Sequence, residues 1–173
     1  MDQSKALSIT AEAFEMVQQG RLDEADARYR AALAEADPRH YRTPEIHGQY
    51  ASLLTRMSRG TDAGRHYEKA LEIELRNDPD EAKAPVVVAR YFLGEHYLRM
   101  GEADSARRAI APSLVAAQKP LAWLVEAEAL YLSGAIEDAQ SAAERAVALA
   151  TDTGQKERIR TRLAELLVEP RSS

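Results

Sequence analysis

The chain has 173 residues, 45% hydrophobic and 29% charged, with a net charge of −5 at pH 7 and no cysteine. That length is enough for one well-buried domain or one short superhelix, and the missing cysteines remove thiolate metal ligands. Acidic and basic residues are intermixed with no block of either sign, which argues against a nucleic-acid binder, and no 18-residue apolar run is present to span a membrane.

Few aromatics and abundant Ala, Glu, Leu and Arg suit an all-α chain. The periodicity predicts nine helices and no strands. Residues 1–5 lack a basic segment followed by an apolar one, so no secretion signal is read there and the cytosol is the default compartment. The first two helices are predicted over 4–19 and 22–36. A connection through Asp37-Pro38 leads to a pair over 44–57 and 62–76, where Thr43-Pro44 offers a cap and a first-turn proline. Asp78-Pro79 offers the same signal, with Glu81 placed to complete a capping box. Pro85 conflicts with a helix running through it, so the next helix is read as starting at Pro85, with a separate turn over 79–84 as the other reading. It ends at Met100 and is followed by 102–117, then by 121–133 and 136–150. A last amphipathic helix over 155–168 carries Ile159, Leu163, Leu166 and Leu167 on one stripe, which suits covering the apolar end of a stack. Residues 169–173 have no periodicity and are expected to be disordered.

Four alanines, Ala25, Ala63, Ala106 and Ala139, recur at intervals of 38, 43 and 33 residues, and their surroundings recur with them. Twelve positions earlier stand Ala13, Ala51, Gly94 and Ala127. Nine earlier stand Met16, Leu54, Tyr97 and Leu130, and five earlier Gly20, Ser58, Gly101 and Gly134. Seven later come Ala32, Ala70, Ser113 and Ala146, each followed by Leu or Val. Aligned columns of this kind mark a repeat array. Small residues let paired helices approach closely, large ones fill the gap beside them, and the glycines supply the left-handed turn that ends each first helix.

The pattern resembles the tetratricopeptide repeat. Leu93-Gly94-x-x-Tyr97 matches its signature in the third copy, Trp123 falls on its tryptophan in the fourth, and Ala25-x-x-x-Tyr29 and Ala63-x-x-x-Tyr67 match in the first two. Pro38, Pro79 and Pro120 follow second helices. Ile110 and Ala143 stand where the second-helix aromatic belongs, so those two sites must be filled differently. The intervals above 34, and the stretch from His66 to Met100, are similar to the longer repeats of kinesin light chains. The resemblance implies an all-α right-handed superhelix in a single domain over 1–168, with repeats at about 4–38, 44–78, 79–119 and 120–151 and a capping helix at 155–168.

No catalytic constellation is legible. There is no nucleophile elbow, phosphate loop or dinucleotide fingerprint, and no carboxylate pair marked for acid–base work. His40, His47, His66 and His96 show no paired spacing suited to a metal. The expectation is therefore not an enzyme, with no cofactor and no metal. Lys156 to Arg162 reads as a solvated helix surface.

Recognition remains. In tetratricopeptide proteins the first helix of each pair lines a concave groove that holds a peptide. Projected onto this chain, the groove takes Thr10, Phe14, Val17 and Gln18 from the first copy and Gln49, Ser52, Thr55 and Arg56 from the second. It takes Tyr91, Glu95, Leu98 and Arg99 from the third, and Leu124, Glu128 and Tyr131 from the fourth. Aromatic residues interleaved with charges suit a peptide site, and Phe14, Tyr91 and Tyr131 also suit packing between repeats. The clamp by which chaperone-tail-binding members grip a terminal carboxylate is missing, because Thr10, Phe14, Gln49, Val88 and Phe92 occupy its positions. The implied function is a protein–protein interaction module for a partner peptide or segment. The alternatives are a dedicated bacterial chaperone or immunity-type inhibitor of one protein, and a self-assembling scaffold such as a homodimer.

Overall fold

The computed structural model describes residues 1–116, 118–164 and 166. Among them lie nine α-helices and no strand. The chain divides into two compact units, Met1–Asp80 and Glu81–Ser173. The first holds α1 (Gln3–Gln18), α2 (Leu22–Glu35), α3 (Thr43–Arg56) and α4 (Gly60–Asn77). The second holds α5 (Ala84–Arg99), α6 (Ala103–Ala116), α7 (Pro120–Leu132), α8 (Ile136–Leu149) and α9 (Thr153–Arg162). Consecutive helices pair as α1–α2, α3–α4, α5–α6 and α7–α8. Within its unit α3 also packs on α2 and α1, α7 packs on α6 and α5, and α9 packs on α8.

The turn inside each pair is the same device four times. Gly20, Ser58, Gly101 and Gly134 have φ of 76°, 59°, 74° and 79°. Each backbone N–H, and that of the next residue, closes back on the helix just ended. The second of these bonds runs from Arg21 to the Met16 carbonyl, from Arg59 to Leu54, from Glu102 to Tyr97 and from Ala135 to Leu130, at 2.8–3.0 Å. These are the bonds of a Schellman motif. Ser58 adopts the left-handed conformation that glycine takes in the other three.

The small-residue columns mark where paired helices touch. Ala25, Ala63, Ala106 and Ala139 have no exposed surface, and neither do Ala13, Ala51 and Ala127. Gly94 stands in the same column, and a Cβ built on it would lie 2.9 Å from both Ile110 Cγ2 and Val125 Cγ1. Ile110, also fully buried, thus fills the place of the missing aromatic by reaching across to the bare backbone of Gly94. In the fourth pair the small Ala143 shares one apolar cluster with Ile159, Leu163 and Leu166, so the end of the chain fills the space left there. Leu167, the other stripe residue, and the 169–173 tail lie outside the described residues.

The helix read as starting at Pro85 does start there, within one residue, but two predicted caps do not form. Thr43 is the first residue of α3 rather than its cap, and its hydroxyl donates to the Asp37 carbonyl at 2.6 Å. The capping box at Asp78 does not form. Asp78 ends α4, its carboxylate accepts from the Asp80 N–H, and α5 starts at Ala84 with Pro85 in its first turn. Glu81 instead holds the buried Arg90, which forks onto both carboxylate oxygens at 2.6 Å and donates a third bond to the Ala109 carbonyl at 2.8 Å. That arginine ties the turn before α5 to α6.

In the first unit one carboxylate joins three helices. Asp26 on α2 is only 7% exposed. It accepts from the Tyr50 hydroxyl of α3 at 2.6 Å, from Arg59 at the start of α4 at 3.0 Å and from Arg30 at 2.8 Å. Burial works against its charge, but Tyr50 and the two guanidinium groups outweigh burial and hold its pKa below the usual value. Tyr50 stacks on Tyr29 with ring centroids 5.5 Å apart. Burial, then Asp26, pushes the Tyr50 phenol up to about 12, so it stays a donor.

Candidate functional site

In the first unit the projected positions separate into surface and core. Phe14 is 49% exposed, and Gln18, Ser52 and Arg56 are exposed as well. Arg56 donates a long bond, 3.4 Å, to the Val17 carbonyl at the end of α1. Gln49 is half-buried, accepting from the Tyr29 hydroxyl at 3.2 Å and donating to Glu45. Thr10 and Val17 are buried, contrary to their groove assignment. The hydroxyl of Thr10 is satisfied within its own helix by the Ala6 carbonyl at 2.8 Å, which lets a polar residue sit in the core.

Sequence spacing also missed a histidine pair. The α3–α4 hairpin sets the Nδ1 atoms of His47 and His66 2.8 Å apart, with Tyr50 tilted against His66. Two neutral imidazoles satisfy that geometry, one Nδ1–H donating to the other's lone pair. Among the described residues no third His, Cys, Asp or Glu joins them to form a metal site. Burial lowers the pKa of His47 to about 4, helped by His66 and Lys69 and opposed by Glu72. Burial also lowers that of His66, with Asp62 opposing and Arg59 assisting. The unfolded chain protonates near 6.5, so as pH falls below that value it binds a proton that the folded pair refuses. The contribution is therefore complete above pH 6.5 and is lost as pH falls towards 4, by about 2 kcal/mol after allowance for partial exposure. Denaturant melts at pH 7.5 and 4.5 measure it, and His47→Gln with His66→Gln should flatten the difference.

The second unit gathers the projected positions of α5 and α7 around one open hollow of about 460 Å³. Leu98, Tyr131 and Leu132 form its apolar walls, with Tyr131 42% and Leu132 56% exposed. Arg99, Glu95 and Glu128 supply charges. Leu124, projected into the groove, is 3% exposed and belongs to the core. Tyr91 is half-buried beside the Ala106–Ile110–Val125–Ala129 cluster, so its ring packs while its hydroxyl reaches the site.

The residue the sequence reading placed in solvent completes this hollow. Arg162, the last residue of α9, donates through Nη2 to Glu95 at 2.6 Å, and through Nε and Nη2 to Glu128 at 2.5 Å. Its Nη1 lies 3.4 Å from the Tyr91 hydroxyl. Burial opposes the charge, but hydrogen bonds to Glu128 and then Glu95 overcome it and raise the pKa further above its ordinary value. Nothing in the local pattern around Arg162 signals this. The carboxylates stand 67 and 34 residues earlier in the chain.

Trp123 packs partly buried against the α7–α8–α9 cluster, with the Arg145 guanidinium 6.0 Å from its ring centre over one face. Among the described residues no helix is long and apolar enough to cross a membrane.

No family model matches the chain, and no curated protein matches it in sequence. Solved structures do match. BtubC (BKLC) from P. vanneervenii superposes with a TM-score of 0.75 at 19% identity, covering 95% of this chain and 72% of that one. PilF of Pseudomonas aeruginosa gives 0.66 at 22%, covering 93% and 68%. A tetratricopeptide repeat protein from Parabacteroides merdae gives 0.63 at 18%, covering 97% and 66%. With helix pairs, left-handed turns and small-residue columns all in register, the chain has the tetratricopeptide-repeat fold.

Proposed function

We propose that the chain is a non-enzymatic protein-binding module that holds a segment of a partner protein against the first helices of its pairs. The observation that carries this reading is the hollow of the second unit, where exposed Tyr131 and Leu132 stand beside charges of both signs. Apolar area supplies anchoring and the flanking charges set register, the division of labour found at peptide sites. The tetratricopeptide-repeat fold of its structural neighbours supports the same class of function. The exposed Phe14, Gln18, Ser52 and Arg56 offer a second surface in the first unit.

The test is affinity capture from the native cell with the full chain and with an Arg99→Ala/Tyr131→Ala variant. Both residues are exposed, so the fold should survive. A partner held by the wild type and released by the variant is the expected result. Unchanged recovery by the variant would remove the site from this hollow.

A further inference from the structure

We propose that the second unit's hollow takes an arginine-bearing segment of its partner, and that Arg162 occupies the guanidinium position until that segment arrives. This rests on the reading of the hollow as the binding site and names the chemistry of its occupant.

Three observations carry it. First, α5 and α7 aim two carboxylates and a phenol at one point, and a single guanidinium already satisfies all three. The site thus has the geometry to hold a forked cation, which two carboxylates recognise better than they do a point charge. Secondly, α9 and the turn after it are held by other means: Ile159 of α9, and Leu163 and Leu166 just beyond it, are each at most 5% exposed in the core. The arginine side chain can therefore swing away without the helix leaving. Its side chain is 35% exposed and lines the open hollow rather than lying sealed beneath it. Thirdly, with Arg162 withdrawn the described residues lining the hollow keep Glu95 and Glu128 against Arg99, a negative balance that favours an incoming cation. Leu98, Tyr131 and Leu132 lie beside that position to receive an apolar neighbour on the same segment.

The experiment uses the full chain and two fluorescein-labelled octapeptides. One carries a single arginine flanked by leucines. Its twin carries citrulline, which has the same shape without the charge. Arg162→Gln should bind the arginine peptide at least about tenfold tighter than the wild type does, the worth of one charge-assisted contact, and the citrulline peptide no tighter. Adding Glu128→Gln should erase the gain. Arg162→Lys, which keeps a cation for Glu95 but loses the fork, should show a smaller gain and serves if the glutamine variant is poorly folded by circular dichroism. Equal binding of the two peptides, or no gain in either variant, overturns the proposal. If the Arg99→Ala/Tyr131→Ala variant still releases a native partner, the hollow remains the site and only its preference for a basic segment falls. If that variant retains the partner as well, the hollow itself is wrong.

Discussion

Replacing Asp26 by alanine should lower the stability of the chain by about 3 kcal/mol, with the loss seen by hydrogen exchange in α2, α3 and the start of α4. The largest part comes from the Tyr50 hydroxyl, which donates to Asp26 at 2.6 Å from a nearly buried ring. A hydrogen bond to a charged acceptor is worth about 1.5–3 kcal/mol, and its removal leaves the phenol unpaired. Arg59 and Arg30 contribute less, since their side chains are 41% and 64% exposed and exposed ion pairs are worth about 0–1 kcal/mol each. Asp26→Asn should cost only about 1 kcal/mol, because an amide oxygen still accepts from Tyr50 while the charge is gone. Asp62→Ala, which removes the other, exposed partner of Arg59, should be within about 0.5 kcal/mol of wild type. A double-mutant cycle with Tyr50→Phe isolates the coupling. Equal losses in D26A and D62A would show that burial adds nothing to this network. Because the Asp26 pKa is depressed, its stabilisation is present above the ordinary carboxylate range and disappears as pH falls through the lower folded value.

What the sequence made legible was what repeats. Glycines that must turn left-handed and alanines that must let helices touch answer to local geometry, so each column reports on the fold at its own position. The contacts that stayed hidden answer to placement in three dimensions. Asp26 is one of several acids near the start of α2 until Tyr50 and Arg59 are brought to it. His47 and His66 become neighbours only through the α3–α4 hairpin, whose register the spacing of the two histidines does not reveal. Arg162 falls among alternating charges that read as solvated, and its partners lie on helices far earlier in the chain. The projected surface erred in one consistent way. Thr10 and Val17 lie with Ala6 and Ala13 on the buried stripe of α1, and Leu124 of α7 lies in the core, so each projected position that failed is one the packed face claims. For Thr10 the bond to its own helix removed the penalty that would have kept a hydroxyl outside.

Gly94 and Gly48 offer a matched pair for testing the packing that defines the fold, since the same change should have opposite signs at the two sites. Both lie within helices, Gly94 in α5 and Gly48 in α3, and neither has the positive φ that would strain an alanine. A Cβ on Gly48 meets nothing within 4 Å, so Gly48→Ala should stabilise by up to about 1 kcal/mol through helix propensity alone. At Gly94 the same propensity gain is opposed by two methyl groups 2.9 Å from the new carbon. Both belong to core side chains with no exposed surface, Ile110 and Val125, and neither has a flexible end that can swing away. Overpacking of this kind costs about 1–3 kcal/mol, so Gly94→Ala should be destabilising by about 1 kcal/mol net. Gly94→Val, with two more methyls in the same space, should lose about 3 kcal/mol. Shrinking the neighbour supplies the decisive check. If Gly94 is bare so that Ile110 can reach across in place of an aromatic, then Ile110→Ala, which removes the Cγ2 methyl and is harmful alone, should partly rescue Gly94→Ala, and the two changes should couple rather than add. Chemical denaturation of the wild type, the two single variants and the double variant measures this directly. Additive losses, or a stabilising Gly94→Ala, would mean that α5 and α6 do not meet at this column.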